Sequence, residues 1–379
     1  MKGKQGLVCM GLLLVLSSCS CHTGKQITAS GLQRKDFQTE VNGQHTDLFT
    51  LSNKQGMEVC ITNYGARVVS ILVPDRNGKR EDVVCGFSTI TEYMEQRQNF
   101  GSTVGRYIGR ILNARFTLDG VEYKLVPNNG KSGHISHGGN PGFADRIWKV
   151  EQADTHRVRL SYLSPDGENG FPGNLKVTLV YSLGEDDNAL DLTYEATTDA
   201  PTVLNLSHHS FCNISGNFTK SVEDQQLWVD ADRFTPYDDK KCVTGEYLPV
   251  AGTPLDFRMP HTIGECIDAD HPQLKVVNGY DHTWELNTKG DDTRPAAWVY
   301  DPASGRKMEI FTTEPGMQIY TGNGLKGKMT GKGGIAYPFR SAVCFETMHF
   351  QDSPNQPGFP STVLRPGEVF RSHTVYKFE

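Results

Sequence analysis

Two histidines stand side by side in Leu204-Asn205-Leu206-Ser207-His208-His209-Ser210-Phe211-Cys212-Asn213, an apolar, strand-like stretch. A carboxylate, Glu346, interrupts a second such stretch, Val343-Cys344-Phe345-Glu346-Thr347-Met348. Imidazole exchanges protons near neutral pH, with an ordinary pKa of about 6.5, and burial lifts a glutamate toward that range. Together the two residue types offer an acid and a base that can act on different oxygens of one substrate. A carboxylate among apolar residues is costly to bury unless it is paired or used. Two glycine-flanked groups could complete a polar site: Gly105-Arg106-Tyr107-Ile108-Gly109-Arg110-Ile111 and Ser136-His137-Gly138-Gly139.

Other uses of these residues compete with proton transfer. A strand glutamate is often half of a structural ion pair, and loop histidines often serve as hydrogen-bonding scaffolds. His134 and His137, three residues apart, could begin a zinc site that His208 or His209 completes. Adjacent strand residues point to opposite faces, however, so only one of the pair can reach a given ion or substrate. No His-Glu-x-x-His run or Cys/His cluster accompanies them, and no metal is expected. Glu346 and Asp281 could instead form the carboxylate pair of a glycoside hydrolase, but that chemistry leaves the histidines idle.

The elements that must carry these groups are strands. In Leu190-Asp191-Leu192-Thr193-Tyr194-Glu195-Ala196 apolar and polar residues alternate at period two, and Val177, Leu179 and Tyr181 repeat the pattern one strand earlier. Gly184-Glu185-Asp186-Asp187-Asn188 supplies the turn between them. Further strands are expected at Val158–Leu163, Val222–Val229, Ala297–Tyr300, Lys307–Thr312 and Val369–Phe378. The 39 glycines and 19 prolines fall mostly between such runs. A helix is expected only from Thr89-Ile90-Thr91-Glu92 onward, where Thr and Glu three apart form a capping box. Many short antiparallel strands in one long unit imply an all-β fold, a large antiparallel β-sandwich whose sheet can line an open cleft.

Composition narrows the partners. Net charge is −6 and the basic residues are scattered, which argues against nucleic acid. Of nine cysteines, Cys9 and Cys19 fall in the leader, and the odd remainder, without a CxxC, suits buried free thiols better than a disulfide framework. Lys2 and Lys4 precede the apolar run Leu7 to Leu16, which ends in Ser17 and Ser18, the layout of an export signal too short to span a bilayer. Leu16-Ser17-Ser18-Cys19 resembles a bacterial lipobox, with Cys19 the lipidated residue. Residues 1–19 are therefore expected to be a lipoprotein-type signal, 20–36 a flexible tether, and 37–379 the domain. That organisation implies an exported protein held in the cell envelope by a lipid anchor.

Taken in order, the motifs resemble the aldose 1-epimerase (galactose mutarotase) family across residues 37 to 378. They include Asn63-Tyr64-Gly65-Ala66, Gly105-Arg106, Gly109-Arg110-Ile111, His137-Gly138-Gly139, Ser164-Pro165-Asp166-Gly167 and Asn205-Leu206-Ser207-His208-His209. Gly279-Tyr280-Asp281-His282, Glu314-Pro315-Gly316-Met317-Gln318, Phe345-Glu346-Thr347 and Leu364-Arg365-Pro366-Gly367-Glu368 continue them. The resemblance implies a β-supersandwich that interconverts the α and β anomers of a free aldose without a metal or other cofactor. It implies His209 as the acid on the ring oxygen and Glu346 as the base on the C1 hydroxyl. Arg110, His137, Asp281 and Gln318 match positions that hold sugar hydroxyls. A carbohydrate-binding sandwich without turnover is the alternative, although a binding module need keep neither His209 nor Glu346. The family commonly has Asn where this chain has Gly109. A missing amide contact is expected, and Gly109→Asn should restore it, provided that φ is negative there. Asn-His is likewise common where this chain has His208-His209, so the acid should be the second histidine.

Overall fold

The computed structural model describes residues 26–379, so the expected export signal, with Cys19, lies outside the described residues. Alternating side chains build the largest sheet as expected. Leu190, Leu192, Tyr194 and Ala196 are buried, and the register sets Leu179 against Tyr194 and Tyr181 against Leu192. Among the described residues this sheet has nine strands. Their spatial order is Lys149–Ala153, Arg157–Ser164, Leu175–Leu183, Ala189–Thr198, Phe370–Phe378, Lys307–Thr312, Ala297–Tyr300, Gln226–Val229 and His261–Thr262. The architecture is the expected all-β one, with antiparallel pairing within each sheet.

A six-stranded sheet packs against it, in the order Phe211–Cys212, Val343–Met348, Gly316–Tyr320, Asp281–Glu285, Arg233–Thr235 and Leu248–Pro249. Its two faces differ sharply. The register aligns His282, Ile319 and Phe345 across three strands, and all three are buried, Ile319 and Phe345 in one core cluster with the large sheet's Leu192 and Tyr376. The Tyr376 hydroxyl donates to the Phe345 carbonyl at 3.0 Å, and Thr347 meets Thr374 at 2.7 Å. The opposite face carries Asp281, Gln318, Tyr320, Glu346 and Met348, because strand residues two apart share a side. One sheet thus closes the core with one set of side chains and presents polar groups with the other.

Three expectations need correction. Residues 26–36 are part of the folded unit rather than tether: Ile27 bridges to Gln33, and Leu32 joins a core cluster with Phe37, Leu48 and Cys60. Buried Leu32 and Thr28 seat an otherwise more exposed, mostly polar run. Helix Ile90–Gln96 forms at the expected capping box, Thr89 Oγ1 accepting from Glu92 N–H at 3.2 Å and Glu92 Oε2 from Thr89 N–H at 2.9 Å. A second helix, Pro272–Val277, was not foreseen, since six residues are too few for a 3.6-residue period to show. The run Val222–Val229 is strand only over Gln226–Val229, because Val222 turns to bond the Arg340 carbonyl.

Candidate active site

The strand Ser207–His209 pairs with Ser102–Val104, setting His209 opposite Ser102 and His208 opposite Thr103. The two imidazoles consequently diverge. His208 points into the core, where its ring lies 6.0 Å from Tyr181 and 6.3 Å from Tyr376. Neither of its nitrogens makes a well-formed hydrogen bond, and burial drives its pKa down to about 3. His209 instead enters a cavity of about 250 Å³ that Glu346, Asp281, Gln318, His137 and Arg110 also line. The six residues to which the resemblance gives catalytic or sugar-binding roles therefore meet in one place.

At the centre, His209 Nε2 lies 3.4 Å from Glu346 Oε1. The His209 ring stacks on Phe211 at 5.0 Å and meets the edge of His137 at 5.5 Å, which fixes its plane. Burial, helped by neighbouring Asp281, raises the Glu346 carboxyl well above its usual range. Burial also holds His209 well below an ordinary histidine, with His137 adding to the effect. In the protein alone the single proton of this pair accordingly favours the carboxyl. Both charged forms are costly when so deeply buried, and groups that hydrogen-bond to them make them accessible.

The surrounding residues are oriented by their backbones and by one another. His137 has φ 51°, and Gly138 follows with φ 77°; a Cβ on Gly138 would come 2.0 Å from the Gly105 carbonyl oxygen. Only glycine permits that approach. His137 Nδ1 accepts from the Gly109 N–H at 3.4 Å, so neutral His137 presents an Nε2–H donor to the cavity. Burial, then Arg110, lowers its pKa to about 4, keeping it neutral. Asp281 Oδ1 accepts from Gln318 Nε2 at 2.6 Å, and its carboxyl is raised by burial against the opposing pull of Arg110. The Arg110 guanidinium is anchored on the Lys241 carbonyl at 3.3 Å. The set offers donors and acceptors for several hydroxyls around a central acid–base pair.

Some sequence candidates fall elsewhere. Arg106 is buried as a structural pin, donating to Pro172, Gly173 and Ser164. His134 is separated from His137's role: its Nδ1 accepts from the Asn113 N–H at 2.9 Å, and its Nε2 lies 3.2 Å from Cys242 Sγ. Among the described residues, His209, Cys344 and Glu346 bring three ligand atoms within 4.8 Å of one another and could hold a metal. A cation there would occupy the lone pairs that proton exchange between His209 and Glu346 needs, so the two uses exclude each other. The six cysteines among the described residues are free thiols.

The expectation for Gly109 is overturned. Its φ is +75°, and a Cβ would lie 2.6 Å from Gln351 Cγ, so asparagine is disfavoured both by the backbone and by space. Gln351 fills the volume beside Gly109 and lines the cavity. Sequence reasoning missed it because it lies past the end of Val343–Met348, where strand alternation no longer applies. Phe211 was legible in principle, being two residues from His209 on the same side. Gln98 and Asn99, also lining residues, carry no periodic signal.

The aldose 1-epimerase family profile matches residues 47–377. The chain is 40% identical over 331 residues to the galactose mutarotase of Bos taurus, covering 87% of this chain and 93% of that one. It is 36% identical over 339 residues to the aldose 1-epimerase of Escherichia coli, covering 89% and 96%. The crystal structure of an aldose epimerase homologue from C. elegans superposes with a TM-score of 0.81 at 31% identity, covering 88% of this chain and 99% of that chain. A galactose 1-epimerase from Lactobacillus acidophilus gives 0.78 at 28% identity, covering 90% and 97%.

Proposed function

Given that the chain belongs to the aldose 1-epimerase family, we propose that it interconverts the α and β anomers of a free aldohexose such as galactose or glucose through His209 and Glu346. The protein is an isomerase acting on carbohydrate, and the contact between these two side chains, 3.4 Å apart in the cavity, carries the assignment of roles. Glu346, as carboxylate, takes the proton from the C1 hydroxyl while protonated His209 delivers one to the ring oxygen. The C1–O5 bond breaks, the aldehyde forms, and rotation about C1–C2 presents its other face for closure by the reverse transfers. Ring opening leaves the proton on Glu346 and His209 neutral, the arrangement that burial favours. A sugar hydroxyl donating to the carboxylate lowers the cost of the starting charge. Arg110, His137, Asp281 and Gln318 hold the remaining hydroxyls, so the ring stays aligned with the pair.

Polarimetry on freshly dissolved α-D-glucose and α-D-galactose tests the reading. The protein should speed the approach to the equilibrium rotation, and folded Glu346→Gln should approach it at nearly the uncatalysed rate. Near wild-type turnover in that variant would remove Glu346 from its role. We also propose that the protein is exported and lipid-anchored through Cys19, which the lipobox-like run supports. Cys19→Ala should then abolish partition into detergent, and a soluble native protein without N-terminal lipid mass would leave plain secretion.

A further inference from the structure

We propose that Gln351 is a specificity-determining residue whose side-chain oxygen accepts a hydrogen bond from one sugar hydroxyl, in the space that Gly109 leaves open. The inference deepens the epimerase reading and rests on it. Gln351 is only 5% exposed, yet it lines the same cavity as His209 and Glu346. Its reach into that cavity depends on residue 109 having no Cβ, since one would sit 2.6 Å from Gln351 Cγ.

A chain of hydrogen bonds decides which end of the amide faces the sugar. Asp281 Oδ1 accepts from Gln318 Nε2 at 2.6 Å, so the other end of the Gln318 amide is oxygen. That oxygen accepts from the Thr283 hydroxyl at 2.5 Å and from Gln351 Nε2 at 3.3 Å. The second Nε2 hydrogen of Gln351 goes to the Tyr237 hydroxyl at 2.7 Å. Turning the Gln351 amide over would set two carbonyl oxygens against each other. Both donors are thus engaged within the protein. The hydrogen bonds of Gln351 among the described residues are made by Nε2, which leaves Oε1 as the acceptor that this cavity-lining side chain can offer. An acceptor held in place by two donors costs little further ordering when a hydroxyl binds.

The ligand it selects is an aldose carrying a hydroxyl at the carbon that faces Gly109. The test measures anomer interconversion for galactose, glucose and their analogues deoxygenated singly at carbons 2, 3, 4 and 6, with melting curves for each protein. Gln351→Met should raise KM about two- to tenfold for the parent sugar, the span of one lost neutral hydrogen bond, with a smaller change in kcat. For one deoxy sugar alone, wild type and variant should have equal KM. Gly109→Ala, which drives Gln351 aside without replacing it, should produce the same sugar-selective rise. Equal KM values for every sugar in both folded variants would overturn the proposal. So would a uniform loss across all the deoxy sugars, which would make Gln351 only a support for Gln318 and Tyr237. Wild-type protein inactive on both parent sugars would instead bring down the epimerase reading itself.

Discussion

Glu346 and His209 face each other across 3.4 Å, and burial displaces both from their solution behaviour in opposite directions. A pair carrying two protons has no base, and a pair carrying none has no acid. Because His209 is lowered, the second proton binds only at acid pH. Because Glu346 is raised, the last proton leaves well above the ordinary carboxylate range. The apparent values belong to the pair. kcat should therefore hold a plateau through neutrality, with its acid limb below the usual histidine midpoint. A rate that titrates near 6.5 would show that His209 behaves as a free imidazole. His209→Asn should cost at least about a hundredfold in kcat, the typical span of a positioned acid, whereas His208→Asn should cost far less. Equal kinetic losses in two folded variants would contradict the unequal placement. EDTA should leave turnover unchanged, and sensitivity to it would favour a cation at His209, Cys344 and Glu346.

The strand Ser207–His209 serves the cleft with one residue and the core with the next, and the core-facing half has its own pH signature. In the folded protein His208 takes a proton only near pH 3, while an unfolded histidine does so near 6.5. Its contribution to stability is thus fully present above 6.5 and is lost as pH falls toward 3. At pH 5 the loss is about 2 kcal/mol by linkage. His208→Phe, set between the Tyr181 and Tyr376 rings, should lose that much less stability between pH 7 and 5 in denaturant titrations. A parallel loss in both proteins would mean that His208 is not held neutral. At this scale the sequence was most readable. Alternation located Ala297–Tyr300 and Lys307–Thr312 to the residue, split the two histidines, and put Glu346 in a strand. What it could not supply was conformation without period: the positive φ of Gly109 and His137, the short helix Pro272–Val277, and the reach of Gln351 past a strand end. Each of these depends on contacts made by residues far away in the chain.

The cavity exists only in the assembled molecule, since its walls come from positions as distant as Gln98 and Gln351. Anything that loosens the two-sheet packing loosens the acid–base geometry with it. The N-terminal segment bears on this packing directly. Ala29 N–H donates to Glu58 Oε1 at 2.6 Å and Ser30 N–H to the same oxygen at 3.3 Å. Glu58 is 2% exposed on a strand that also carries Val59 and Ile61 of the main core. Leu32, 5% exposed, caps the neighbouring cluster of Phe37 and Leu48. Exposing Leu32's seat costs about 2 kcal/mol of apolar burial, and withdrawing two donors from a buried carboxylate adds about 1–3 kcal/mol. A chain starting at residue 26 should therefore melt several degrees above one starting at residue 37. The second truncation should also lose activity on heating before the first, because the strand beneath the segment belongs to the common core. Identical melting of the two would show that residues 26–36 rest on the domain without supporting it, and the tether would then end at residue 36, where the sequence alone had put its boundary.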